Sequence, residues 1–262
     1  MIKVVKIGGN VVDNPELLRK FANDFASMPG MKVLIHGGGV MASQMQKSMG
    51  MTPVMVEGRR VTDEQTLKVV TMVYAGWCNK NITALLQGAG CNAIGLCGAD
   101  GNVIRAAKRA PVMVESLGKE VDYGYVGDVS SESVNTSFIM TLLENGIIPV
   151  FNAINHDGNG NLLNTNADTI ASSVATALSA VVETELIYCF EKDGVLYDKD
   201  DDTSVIPSID RDRFAELKAE GRVADGMIPK LSNSFKAIDN GVARVIIKHA
   251  ANLLNDKGTT LV

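Results

Sequence analysis

The run IKVVKIGGN, residues 2–10, decides the fold. Its first six residues are apolar and β-branched apart from Lys3 and Lys6, the make-up of a short buried strand. Gly8, Gly9 and Asn10 break it. Asn14 and Pro15 then read as a helix cap and first helical residue, with Leu17, Leu18, Phe21 and Phe25 at helical spacing as far as Pro29-Gly30. The alternation continues at once. MKVLIH at 31–36 predicts a second strand, Gly37, Gly38 and Gly39 interrupt it, and a Met-rich helix follows from about 40 to 49. Its Met41, Met45 and Met49 fall at i, i+4 and i+8, a spacing that predicts a packed core face.

Working outward, TDEQ at 62–65 has the spacing of a capping box, with a long helix to about Gln87. NAIGLC at 92–97 predicts a strand, Asp100-Gly101 a turn, and residues 102–130 a set of hairpins. A helix near 135–145 precedes a strand at 147–151, and the Asn/Gly-rich stretch 155–161 is a tight turn. Thr165 or Asn166 caps an Ala/Ser-rich helix to about Ser179. Beyond it lie a strand at about 185–190, a loop holding Asp193 and Gly194, and a solvated acidic loop, DKDDD, at 198–202. Helices near 210–220 and from about Pro229, and strands near 242–248 and 259–262, complete the chain. Strands alternating with helices imply an α/β fold with a largely parallel sheet covered on both faces. No internal repeat or low-complexity linker marks a domain boundary, and 262 residues suit one α/β domain or two lobes sharing a sheet.

Composition narrows the partners. With 25 basic and 30 acidic residues the net charge is −5, which gives no electrostatic footprint for nucleic acid. A single Trp and few other aromatics leave no stacking platform for single strands. No apolar run approaches the roughly 18 residues of a membrane span, and Lys3 and Lys6 interrupt any signal-peptide core, so a cytoplasmic protein is expected. Cys78, Cys91, Cys97 and Cys189 form no C-x-x-C pair and read as reduced thiols. No side chain is assigned as a metal ligand.

The glycine clusters follow strands, where α/β sheets open their ligand crevice and backbone N–H groups can approach phosphate oxygens. Neither G-x-x-x-x-G-K-[ST] nor G-x-G-x-x-G occurs after a strand, which disfavours both common nucleotide folds. Lys6 sits near the end of a strand that otherwise reads as buried, so it either snorkels to the surface or points into the crevice. Lys230 follows Pro229 at a predicted helix start, where a cation opposes the macrodipole and wants an anion nearby. Arg59 and Arg60 suit carboxylate recognition, although Arg59 reads more simply as solvent-facing. Asn164, Asn166 and Asp168, in NTNAD, read as helix-start residues that can also meet a ligand.

The ordered set of KIGGN at 6–10, HGGG at 36–39, GRRVTD at 58–63, AGWCNKNI at 75–82, GLCGADG at 95–101, NTNAD at 164–168 and DGMIPK at 225–230 resembles the amino-acid kinase family, and within it the branch acting on N-acylated glutamate. The resemblance implies a three-layer α/β/α sandwich around a mostly parallel central sheet. It implies an N-terminal lobe, 1–179, for the acyl amino acid and dimerisation, and a C-terminal lobe, 180–262, for nucleotide. The expected activity is ATP-dependent phosphorylation of the side-chain carboxylate of N-acetyl-L-glutamate, with magnesium (Mg2+), as a step of arginine biosynthesis. By motif match, Lys6 and Lys230 contact the transferring phosphoryl group, and Asp168 holds the two lysines. Gly8, Gly9, Gly37 and Gly38 supply backbone donors. Arg60 binds the substrate α-carboxylate, and Asn164 and Asn166 are substrate-side polar groups. Asp193 and Gly194 are the candidates on the nucleotide loop. Members of the family usually carry a Thr/Ser-Asp pair ahead of that loop's glycine, where this chain has Phe190 and Glu191. Arginine-inhibited members carry an extra N-terminal helix that builds a hexamer, so an arginine-insensitive homodimer is expected. Other substrates of the family, another acyl group such as N-succinyl, and a non-catalytic sensor that binds an amino acid or nucleotide and regulates a partner are the competing readings. Retention of both lysines and Asp168 argues against the sensor.

Overall fold

A computed structural model of the chain describes residues 1–198, 200–222 and 227–262. Lys199 of the acidic loop and Asp225 and Gly226 of DGMIPK lie outside the described residues. Among the described residues eight strands form the central sheet: β1 (Ile2–Ile7), β2 (Met31–His36), β3 (Ala93–Leu96), β4 (Ile148–Phe151), β5 (Thr184–Phe190), β6 (Ser208–Ile209), β7 (Arg244–His249) and β8 (Thr259–Leu261). Their order is β6-β8-β7-β5-β1-β2-β4-β3, and every neighbouring pair is parallel except β7 with β8. β1 lies between β2 and β5, with Lys6 opposite Tyr188, so the sheet continues unbroken past residue 180.

The helices are α1 (Gly9–Val12), α2 (Pro15–Ser27), α3 (Gly39–Ser48), α4 (Glu64–Thr71), α5 (Asn79–Gly88), α6 (Thr136–Glu144), α7 (Ala167–Ser179), α8 (Arg211–Ala219) and α9 (Met227–Asp239). α2 packs on α5, while α6, α7 and α9 pack together across the sheet, giving the three-layer α/β/α sandwich. α2 begins as expected, with the Asn14 side chain accepting the Leu17 N–H at 3.1 Å and Pro15 first in the helix. Its apolar stripe buries Leu18, Phe21 and Phe25, whose two rings stack 5.8 Å apart. The hairpins of 102–130 are present as Ala107–Lys108 with Gly127–Asp128 and Val112–Val114 with Lys119–Val121, both antiparallel. The turn at 155–161 joins Ile154–His156 to Leu162–Asn164. No helix of the described residues is long and apolar enough to cross a membrane, and all four cysteines are free.

Two expectations are corrected. The methionine stripe is not core: Met45 and Met49 are exposed and Met41 is only partly buried, while α3 buries Ala42 and Gln46. The inward face is taken by a polar brace, and the methionines stand about 100° round the helix from it. The N-cap of α4 is Asp63, which accepts the Thr66 N–H at 2.7 Å, not Thr62. Thr62 is drawn into a bridge with Gly124 and donates its hydroxyl to Arg60 O at 2.9 Å. The long helix is helical throughout, but Met72–Cys78 between α4 and α5 is a π-helix, a geometry that widens the turn and is common near functional sites.

Candidate active site

Lys6, one residue from the end of β1, is buried against the start of α7. That start is fixed by Asn166, whose side-chain oxygen accepts the N–H groups of Asp168 at 2.9 Å and Thr169 at 3.1 Å. The cap therefore aims Asp168 at the strand end, and its Oδ1 lies 2.6 Å from Lys6 Nζ. Tyr188 of β5 donates its hydroxyl to the Asp168 carbonyl at 3.3 Å, tying the helix start to the sheet a second time. Burial pushes the Asp168 carboxyl up, but Lys6 and then Lys230 outweigh it and hold the group below its ordinary range. Lys230, from the first described turn of α9, is held below an ordinary lysine by burial, with Asp168 opposing and Lys6 adding to the fall. Two lysines from opposite ends of the chain thus share one carboxylate.

A cavity of about 190 Å³ opens beside this group, bordered by Lys6, the glycine run 37–39, Arg60, Tyr74, Asn164 and Asp168. Arg60 is buried and braced: Nη1 donates to Gln46, and Nη2 donates to Gly39 O at 2.9 Å and to the Ser43 hydroxyl at 2.8 Å. Asn164 donates to the Thr62 hydroxyl at 3.0 Å, and the buried Thr165 hydroxyl beside it has no partner among the described residues. The π segment brings Tyr74 against the glycine run, where a Cβ on Gly38 would meet the ring at 2.9 Å. Only glycine allows that approach. Beneath the run, His36 is fully buried and burial drives its imidazole down to about 4. The neutral ring donates through Nδ1 to Gly37 O at 2.7 Å, leaving Nε2 to accept from Asn79 at 3.0 Å. Asn79 also donates to Val150 O at 2.9 Å, so the AGWCNKNI motif pins the glycine loop to β4.

A larger cavity of about 750 Å³ lies on the other side of Asp168, bordered by Tyr188, Phe190, Pro229, Lys230 and Lys236. Gly58, Arg59, Asn166 and Asp168 border both spaces, so the two meet at Asp168. Lys6, Arg59, Arg60, Lys230 and Lys236 face the joined cavities against Asp168 and Glu57. Such a surface suits two anions brought together. Fixed cations dominate this lining, so charge neutralisation is chemistry that it can supply.

The structure brings together Lys6, Lys230, Asp168, Gly37, Gly38, Arg60, Asn164 and Asn166 from the expected set. Gly8 adjoins it, since a Cβ there would lie 3.9 Å from Lys6 Nζ, and Gly9 opens α1 beside Val40. Asp193 and Gly194 stand apart from this group, since neither is among the residues that border the two cavities. Asp193 accepts from Asn252 at 2.9 Å, and a Cβ on Gly194 would meet the Thr259 hydroxyl at 2.6 Å, so this loop is tied to β8 instead. Arg59, read as solvent-facing, borders both cavities. Tyr74, His36 and Asn79 carried no expected role, Thr165 was expected only as a possible helix cap, and Phe190 only as a departure from the family's usual Thr or Ser; HGGG and AGWCNKNI contained the signal for His36 and Asn79, whereas the π segment that places Tyr74 leaves no mark in the sequence.

The sequence profile of the amino acid kinase family matches residues 1–249. The chain is 52% identical over 260 residues to the acetylglutamate kinase of Bacteroides thetaiotaomicron, covering 99% of this chain and 98% of that one. Among solved structures it resembles N-acetylglutamate synthase from Neisseria gonorrhoeae complexed with coenzyme A and N-acetyl-glutamate, with a TM-score of 0.80 at 24% identity, over 100% of this chain and 59% of the other. Carbamate kinase from Giardia lamblia bound to AMP-PNP shares the fold with a TM-score of 0.69 at 15% identity, over 100% and 98% of the two chains.

Proposed function

The chain belongs to the amino acid kinase family, and on that premise we propose that it transfers the terminal phosphoryl group of ATP to the side-chain carboxylate of N-acetyl-L-glutamate, a step of arginine biosynthesis. The observation that carries this reading is the meeting of Lys6, Lys230 and Asp168 where the smaller cavity joins the larger. The acyl amino acid occupies the smaller space and the nucleotide the larger. A glutamate side chain, with a pKa of about 4.3, is already ionised at neutral pH, so no general base is needed. A bond forms between a carboxylate oxygen and the γ-phosphorus, the bond to the β–γ bridging oxygen breaks, and ADP leaves with the electron pair. The obstacle is repulsion between two anions, and positioning with charge neutralisation removes it.

In this reading Lys6 and Lys230 face the transferring group, and Asp168 fixes Lys6 without needing a proton. Backbone N–H groups of Gly8, Gly9, Gly37 and Gly38 approach the phosphoryl oxygens. Arg60, held in place by Gln46 and Ser43, receives the α-carboxylate, and Asn164 and Asn166 meet the remaining polar groups. Among the described residues no group of three or more His, Cys, Asp or Glu side chains could hold a metal. Magnesium therefore fits as an ion carried by phosphate oxygens and water, where it would shield the triphosphate charge.

Residues 1–179 form the acyl-amino-acid lobe in this account and 180–262 the nucleotide lobe. A homodimer is supported by Trp77 and Met72, 63% and 54% exposed on one helix, beside the edge strand β3 with its partly exposed Ile94. Free thiols suit the cytoplasm. The test is a hydroxylamine trap, which converts an acyl phosphate to a hydroxamate, run with ATP across N-acetylglutamate, N-succinylglutamate, glutamate and aspartate. Hydroxamate formed best from N-acetylglutamate supports the assignment; none from any of them refutes it.

A further inference from the structure

Phe190 is the last residue of β5, two positions beyond Tyr188 and so on the same face of the sheet. Its ring stacks on Tyr188 with centroids 6.0 Å apart and planes 13° apart. Lys230 Nζ stands 3.8 Å from the Phe190 centroid, and Lys6 Nζ stands 5.5 Å from it. Both distances fall inside the roughly 6 Å at which a ring face attracts a cation. We infer that Phe190 is a positioning residue: its ring face holds the Lys230 ammonium at the junction of the two cavities, alongside Lys6. The inference rests on the phosphoryl-transfer reading above.

The physical reason is the behaviour of the alternatives. Two ammonium groups at one site repel, and Asp168 gives its close contact to Lys6. A second carboxylate beneath Lys230 would restrain it, but would also cancel the charge that a phosphoryl group needs and repel the phosphate itself. An aromatic face attracts the cation through its quadrupole and leaves the net charge intact. Tyr188 completes the arrangement, since the residue that supports the Phe190 ring also donates to the Asp168 carbonyl. One strand end thereby sets the positions of Asp168 and Lys230 together.

Replacing Phe190 by phenylalanines with one, three and five ring fluorines drains the ring face stepwise with little change in its shape. The logarithm of kcat is expected to fall in step with fluorine number, tenfold or more at pentafluorophenylalanine. KM for N-acetylglutamate and the melting temperature stay near wild type. Phe190→Tyr should retain activity and Phe190→Leu should lose it. A flat fluorine series in an active enzyme overturns the inference. Titration of the Lys230 amine by heteronuclear NMR supplies a readout that needs no turnover. The amine should titrate at progressively lower pH along the series, and a constant value overturns the inference. If the unmodified protein forms no hydroxamate, the functional reading fails by itself and the Lys230 titration alone decides the role of Phe190.

Discussion

Lys6 Nζ lies 2.6 Å from Asp168 Oδ1, joining the end of the first strand to the first turn of α7. The pair is more than a local contact, because Asp168 is also held by the Asn166 cap and by the Tyr188 hydroxyl on its carbonyl. Asp168 remains ionised through the neutral range, its carboxyl being lowered by both lysines. Asp168→Asn keeps the shape and removes the charge. It should lower kcat about 10²-fold or more, comparable to the loss of a preorganised electrostatic group, with steady-state ADP release as the measurement. An unchanged kcat would leave Asp168 as a helix-start residue only.

The brace on Arg60 gives a second expectation. Gln46 is buried, accepts from Arg60 and donates to the Thr66 hydroxyl at 3.1 Å. Gln46→Leu strips a buried guanidinium of an acceptor, which costs on the order of 1–3 kcal/mol. KM for N-acetylglutamate should rise about tenfold while KM for ATP stays put, and chemical denaturation should register the lost stability. Equal changes in both KM values would place Arg60 outside the substrate site.

His36 predicts a pH dependence of stability rather than of rate. Its folded pKa, pushed down to about 4 by burial, lies below the ordinary value of 6.5, so the unfolded chain binds the proton more readily in between. The neutral ring's contribution is complete above about pH 6.5, shrinks as pH falls towards 4 and is gone below that. The drop amounts to roughly 3 kcal/mol. Urea unfolding of wild type and His36→Asn across that window checks it. The variant should lose the slope between pH 6.5 and 4, and parallel profiles would contradict the assignment.

Trp77 tests the proposed dimer. Trp77→Glu places a charge on the exposed side of the helix that flanks edge strand β3. Light scattering should then report a monomer where the parent chain gives a dimer. A dimer in both would move the interface elsewhere.

Much of this was legible from local chemistry. β1, β2, β4, β5 and the caps at Asn14 and Asn166 follow from apolar runs, glycine breaks and side-chain oxygens at helix starts, which act over a few residues. The meeting of Lys6, Asp168 and Lys230 came from the ordered motifs, since nothing local states that residues so far apart are neighbours. The methionine stripe misled because periodicity finds a face without saying whether core or solvent lies against it. Thr62 and Asp63 both offered a capping oxygen, and the bridge from Thr62 to Gly124 decided between them. Asn79 lay inside a recognisable motif and Phe190 stood out as a departure, but their roles were not legible: a buried Asn and a strand-end Phe gain meaning only from His36 and from the lysines placed beside them.

The central claim is that Lys6 and Lys230 together neutralise the transferring phosphoryl group. The direct measurement is kcat for Lys6→Ala and Lys230→Ala with N-acetylglutamate and ATP at saturation. Each should fall about 10²–10³-fold with the fold intact by circular dichroism. A near-wild-type kcat in either variant would contradict the account.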